Sequence, residues 1–155
     1  MILFLWLFGG CVEEKDSAKI YRFPQHRLDV NHRIWDIDFA CRSEEVALGL
    51  RYRNLAENEG VFMCASTGVV SMKKMKSPIS VAFVSKEYII QSIISLELQS
   101  SDYPIPNETS FVWEMPKGWF ERNGIVVGMT VIDRSKETKQ DREEKDREHK
   151  GEKRK

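Results

Sequence analysis

The chain has little from which to build a familiar catalytic centre. Histidine occurs only at His26, His32 and His149, and cysteine only at Cys11, Cys41 and Cys64. A metal site needs three or four converging ligands, and these residues fall at no recognised ligand spacing, so no metal and no cofactor are expected. No phosphate-cradling Gly-rich loop, dinucleotide fingerprint or Ser-centred nucleophile elbow occurs. Three cysteines do not make a disulfide framework. Net charge is also missing. Lys and Arg number 24 against 24 Asp and Glu, which leaves no electrostatic footprint for nucleic acid. No apolar run reaches the ~20 residues that a membrane-spanning helix requires.

What is present suits one domain. A chain of 155 residues can bury a sizeable core. Its charges are unevenly spread. From Arg134 onward, ten basic residues face seven acidic ones; before it, fourteen face seventeen. The last segment, residues 134–155, has almost nothing apolar and cannot bury a face, so it reads as a disordered or transiently helical tail.

The first eleven residues are MILFLWLFGGC. Eight apolar residues followed by Gly9 and Gly10 match the centre of a secretory signal. Cys11 directly after small residues looks like a bacterial lipoprotein signal, which predicts a lipid anchor on Cys11, membrane attachment and an extracytoplasmic location. Phe8 stands where Leu is usual, and no basic residue precedes the run. The alternative is a cytoplasmic protein with an apolar first strand. The charged stretch that follows suits a hydrated tether over residues 12–24. Cys41 and Cys64 are expected as buried thiols, free Cys being among the most buried residue types; pairing outside the cytoplasm is the other option.

Residues 25–133 read as a single β-rich domain. In Arg33–Cys41, Trp35, Ile37, Phe39 and Cys41 alternate with Asp36 and Asp38, the period of a half-buried strand. Ser43 offers an N-cap to a short helix with Glu44 and Glu45 in its first turn, ending near Arg53. Ile79–Val84 and Tyr88–Leu98 predict a hairpin. Phe111, Trp113 and Met115 alternate with Val112 and Glu114 as a further strand. Pro116 is suited to start a second short helix and Gly124 to end it. Trp119 and Phe120 between them should plug the core. No βαβ alternation is visible, so an antiparallel sandwich or partly open barrel with two short helices is expected.

Several runs in this region look familiar. They are G-L-R-Y-R (Gly49–Arg53), E-x-E-G (Glu57–Gly60), Met72–Lys73 with Pro78, and the long segment from Asp102 to Gly128 containing E-M-P-x-G-W-F-E-R-N-G. Over Ile34–Ile132 the chain resembles the family called domain of unknown function 192. The resemblance implies a compact β-sandwich with small helices, in a family that often carries secretion signals; it implies no activity. Where the family has a Trp-Met-Lys-Asn-Thr run followed by Pro and Asp, Ser71, Lys74, Met75 and Ser80 stand for the Trp, Asn, Thr and Asp. Met129 replaces an acidic residue usual at the last turn.

Arg51 and Arg53 with Glu57 and Glu59 form a charged band near the first helix. Arg offers a planar fork of donors to an anionic or polar ligand, but Arg53 with Glu59 also suits a structural ion pair. Lys73, Lys74 and Lys76 are the densest cation cluster of the folded part. Tyr103, on a Pro-rich loop, is an aromatic platform for a ligand. Arg53, Glu59, Lys73, Lys74, Asp102 and Tyr103 are therefore the candidate ligand-binding residues, with an unidentified polar ligand or envelope protein as partner. No catalytic set is expected. The alternative is a small enzyme whose groove gathers Arg53, Glu59, Lys73 and Asp102, with Glu59 or Asp102 as general acid or base.

Overall fold

The computed structural model describes residues 23–65 and 68–137. The signal-like segment with Cys11, most of the tether and the tail beyond Glu137 lie outside the described residues. The described elements are, in chain order, β1 (Gln25–Val30), β2 (Arg33–Ala40), α1 (Ser43–Leu48), β3 (Val61–Cys64), β4 (Val69–Val70), β5 (Ile79–Val84), β6 (Ile90–Leu96), β7 (Tyr103–Pro104), β8 (Phe111–Pro116), α2 (Trp119–Arg122) and β9 (Ile132–Asp133). Seven strands form one sheet in the order β6-β5-β8-β3-β2-β1-β9, and β4 pairs with β7 in a separate ribbon. The architecture is mainly β and mostly antiparallel with two short helices, as expected, and the sheet does not close into a barrel.

Both faces of the sheet are covered by apolar side chains. On one face Leu28, Ile37, Phe62, Trp113 and Met115 pack beneath Trp119 and Phe120 of α2. On the other, Val61, Met63, Val81, Phe83 and Val112 pack beneath Leu50, Val70 and Met72. All six residues of β5 are buried. That is the pattern of a central strand, whose two parities both face apolar layers. The expected plug is in place: Trp113, Trp119 and Phe120 are fully buried and meet edge to face or tilted, with centroids 5.2–5.4 Å apart.

Local sequence accounts for most junctions. Asn31 and His32 have φ of 54° and 63°, the two positive values that a two-residue turn needs to match the twist of β1 and β2. His26, Leu28 and Val30 share a parity. Leu28 and Val30 enter the core, and His26 stacks on Phe39 at 3.7 Å while its Nδ1 lies 2.8 Å from Asp133. Pro116 differs from expectation. It ends β8 opposite Ile79, and α2 begins only after Gly118 turns the chain at φ 76°. The Lys117 N–H donates to the Pro78 carbonyl at 3.2 Å, so the sheet ladder continues past the proline and delays the helix. Phe23, at the end of the tether, is buried in the second layer. Arg134, at the start of the tail, pairs with Asp29 at 2.6 Å.

The principal departure is at β2 and β3, which run parallel. α1 and the loop after it carry the chain back to the other end of the sheet, a crossover that only a parallel pair requires. The helix is shorter than expected, because Gly49 (φ 49°) stops it after Leu48. The register places Ala40 beside Met63, so the next pair is Cys41 and Cys64. They form a disulfide with Cα atoms 4.9 Å apart. The expectation of two buried thiols is thereby corrected: Cys41 is exposed and Cys64 half-buried. Adjacent strand ends, rather than a hydrophobic interior, bring the two sulfurs together. Beside the bridge, Glu45 accepts the N–H groups of Cys41 (3.3 Å) and Arg42 (3.2 Å), fixing the start of α1. The Arg42 side chain holds the Glu45 carboxyl below its usual range.

Gly60 enters β3 against β8. A Cβ there would stand 2.0 Å from Met115 Sδ and 2.5 Å from the Glu114 carbonyl. Gly60→Ala should therefore lower stability by about 1–3 kcal/mol, an overpacking cost. It would be read as a lower urea midpoint at unchanged slope. Removing the bridge in a Cys41→Ser, Cys64→Ser double variant frees a closed loop with sequence separation 23 and should cost about 3 kcal/mol on the loop-entropy estimate. Wild-type protein in reductant should show the same loss.

Candidate functional site

A cavity of about 70 Å³ lies on the second face, between the end of α1, strands β3 and β8, and the β4–β7 ribbon. Leu50, Met63, Val70, Ile105 and Val112 give it an apolar wall. Ser71 adds a hydroxyl, and the charged groups among the described lining residues are Arg51 and Glu114. Gly49 shapes this corner. Its positive φ ends α1, and a Cβ there would sit 3.4 Å from Glu114 Oε2.

Glu114 is unusually placed. It lies on β8 between Val61 of β3 and Val81 of β5, both fully buried. The residue is only 8% exposed. Among the described residues its carboxyl makes no hydrogen bond and no ion pair. Burial pushes its pKa up to about 7, against the pull of the Arg51 charge. Losing water disfavours the ionised form, and a counter-charge at a distance restores only part of the loss. The Arg51 guanidinium likewise has no hydrogen-bond or ion-pair partner among the described residues. A single acid cannot hold a metal, and among the described residues no three potential metal ligands converge.

The six residues expected to bind a ligand fall into separate groups. Arg53 is nearly buried and donates to Asp38 at 2.8 Å and Glu59 at 3.3 Å, with its guanidinium 5.1 Å from the centre of the Phe23 ring. Glu59 also accepts the Ala56 N–H at 3.3 Å. This is the structural corner that was the alternative reading of the pair. Lys73 lies 3.9 Å from Asp102, and both are exposed. Asp102 also accepts the Ser71 hydroxyl at 2.7 Å. The Lys74 carbonyl accepts the Tyr52 N–H at 2.9 Å. Tyr103 pairs with Val70 in the ribbon and stacks on Phe83 at 5.8 Å. The structure thus joins Arg53 with Glu59 and Lys73 with Asp102. None of the six lines the Glu114 cavity, although Met75 next to Lys74, Val70 paired with Tyr103 and Ser71 bonded to Asp102 do. The four residues of the enzyme alternative form two pairs, and neither of their carboxylates is buried. Cys11 lies outside the described residues.

Glu114 and Arg51 were not singled out from sequence. A signal for Glu114 existed in FVWEMP. Both parities of that strand are apolar apart from the Glu, so no wet face was available to receive it. Arg51 belonged to the charged band, but nothing in sequence separates it from Arg53. The separation comes from Tyr52, whose φ of 65° reverses the chain between them.

The raised pKa fixes a sign for pH dependence. The folded state keeps the Glu114 proton at pH values where the unfolded chain has released it, so stability falls as pH rises from about 4.5 to about 7. The full effect is on the order of 3 kcal/mol. Glu114→Gln should remove this decline, so that its urea midpoint exceeds the wild type's increasingly across that window. Parallel midpoint curves for the two proteins would show that Glu114 is not held protonated.

No curated protein matches its sequence. Two solved structures share its fold. One is a candidate transcription regulator from Sinorhizobium meliloti 1021, with a TM-score of 0.65 and 17% identity over 74% of this chain and 98% of that one. The other is a protein of unknown function from Novosphingobium aromaticivorans, with a TM-score of 0.66 and 21% identity over 74% of this chain and 89% of that one. At such identities the likeness is one of fold alone. The family model DUF192, described as Uncharacterized ACR, matches residues 26–132, from the second residue of β1 to the first of β9, and the chain belongs to that family.

Proposed function

We propose that this protein is an exported, lipid-anchored module that binds a polar ligand or envelope partner. The observation that carries the export reading is the Cys41–Cys64 disulfide. Such bonds persist in oxidising compartments and are rare where thiols are kept reduced. The signal-like MILFLWLFGGC segment and the charged stretch after it support the same location, with Cys11 as the site of the anchor. Binding rests on the cavity. It joins a small apolar wall to two charged groups without partners among the described residues, the composition of a site in which polar groups orient a ligand.

A second reading is favoured by Glu114 alone. A buried acid that titrates near neutrality is suited to general acid or base work. Turnover that follows the Glu114 titration and is lost in Glu114→Gln would support it.

Fractionation tests the first reading. Wild-type protein should sediment with membranes, and Cys11→Ala should move it to a soluble pool. Thiol trapping in intact cells should find Cys41 and Cys64 bonded. A soluble wild-type protein with both thiols reduced would reject export and anchor together.

A further inference from the structure

The Glu114 cavity carries two opposite charges that do not satisfy one another. Arg51 acts electrostatically on the Glu114 carboxyl, yet no Arg51 nitrogen comes within 4.0 Å of a Glu114 oxygen. Among the described residues neither group has another side-chain or backbone partner. Such an arrangement is costly when empty, because Glu114, only 8% exposed, has lost most of its hydration and gains no hydrogen bond in return among the described residues. A bound molecule can relieve it by placing a donor on Glu114 and an acceptor on Arg51 at once.

The rest of the lining narrows the class. Leu50, Met63, Val70 and Val112 offer no further polar contact. They leave space for a small apolar group. A cavity of about 70 Å³, at about 10–15 Å³ per water-sized probe, holds roughly five such units. That is the heavy-atom count of the smallest molecules with both charges. A nucleotide, sugar chain or folded peptide segment is too large to be enclosed by it and could insert only one small group. A simple cation would leave Arg51 without a partner, and a simple anion would leave Glu114 without one.

We propose that this cavity binds a small zwitterion of the α-amino acid class, its ammonium donating to Glu114 and its carboxylate accepting from Arg51. A hydrogen or methyl side chain lies against the apolar wall. The two charged ends of such a molecule are joined through a single carbon, so one ligand reaches both protein groups without bringing them together. The proposal rests on the binding-module reading and specifies its ligand.

Titration of the full chain at pH 8 and low salt tests it, with glycine and alanine as probes and methylammonium, acetate and acetamide as controls. Glycine or alanine should raise the melting temperature at millimolar concentration, as a ligand of the folded state must. Each control should need at least tenfold more for the same shift. Glu114→Gln and Arg51→Gln should each weaken alanine binding at least tenfold. Amide shifts in a ¹⁵N spectrum of wild-type protein should centre on Gly49, Val70 and Ser71, a readout that does not require either variant to fold. Methylammonium or acetamide binding as tightly as glycine would overturn the zwitterion and leave a polar-ligand module standing. Shifts centred elsewhere, or alanine affinity unchanged in both variants, would overturn the site. No binding by any probe would overturn the inference, while export and anchoring are judged separately by fractionation.

Discussion

The position of β8 constrains the rest of the molecule. It runs between β3 and β5, with an apolar layer on each side, so Val112, Trp113, Glu114 and Met115 are all buried. Hydrophobic burial on both faces is what makes a single sheet with short coverings into a stable domain. The same geometry penalises every polar atom on the strand. Trp113 Nε1 is buried without a partner among the described residues. Glu114 faces the other layer, 8% exposed at the cavity and without a hydrogen bond among the described residues. Two such groups on neighbouring residues of one strand oppose the apolar burial around them. Only the one beside a cavity has a remedy within reach.

Much of the fold was legible because strand periodicity is a local property. The β5–β6 hairpin, the alternation in β2 and β8, and the aromatic plug of Trp119 and Phe120 all follow from the residues themselves. Helix α1 was visible from its acidic first turn, though Gly49 ends it earlier than its apolar pattern suggests. The parallel pairing of β2 with β3 was not legible. It depends on where a chain returns after a loop of irregular conformation, and residues 49–60 contain no periodic signal for that direction. The disulfide was hidden for the same reason, since it is a consequence of register.

The candidate site was less legible than the fold. Charge clusters in a sequence are conspicuous where residues are solvated, which led to Lys73, Lys74, Asp102 and the Arg53–Glu59 pair. The structure gives Arg53 a scaffold role between Asp38, Glu59 and Phe23. A buried acid has the opposite appearance. Within FVWEMP its only signal is that both parities of the strand are otherwise apolar, and the two flanking strands turn that signal into burial. Arg51 and Arg53 share a tripeptide, yet the left-handed turn at Tyr52 separates them into the cavity and the corner.

The sulfur bridge has a further meaning for the cavity. Gly49, Leu50 and Arg51 belong to the segment whose two ends are welded at Cys41 and Cys64, and Cys64 itself lines the space. Reduction would untie that wall while leaving the sheet beneath it in place. Thermodynamic reciprocity then applies: any molecule that prefers the closed wall must make the bridge harder to reduce by the same factor that reduction weakens its own binding. Occupancy and oxidation state would act as one variable, and the thiol chemistry of the surroundings would set how readily the cavity fills.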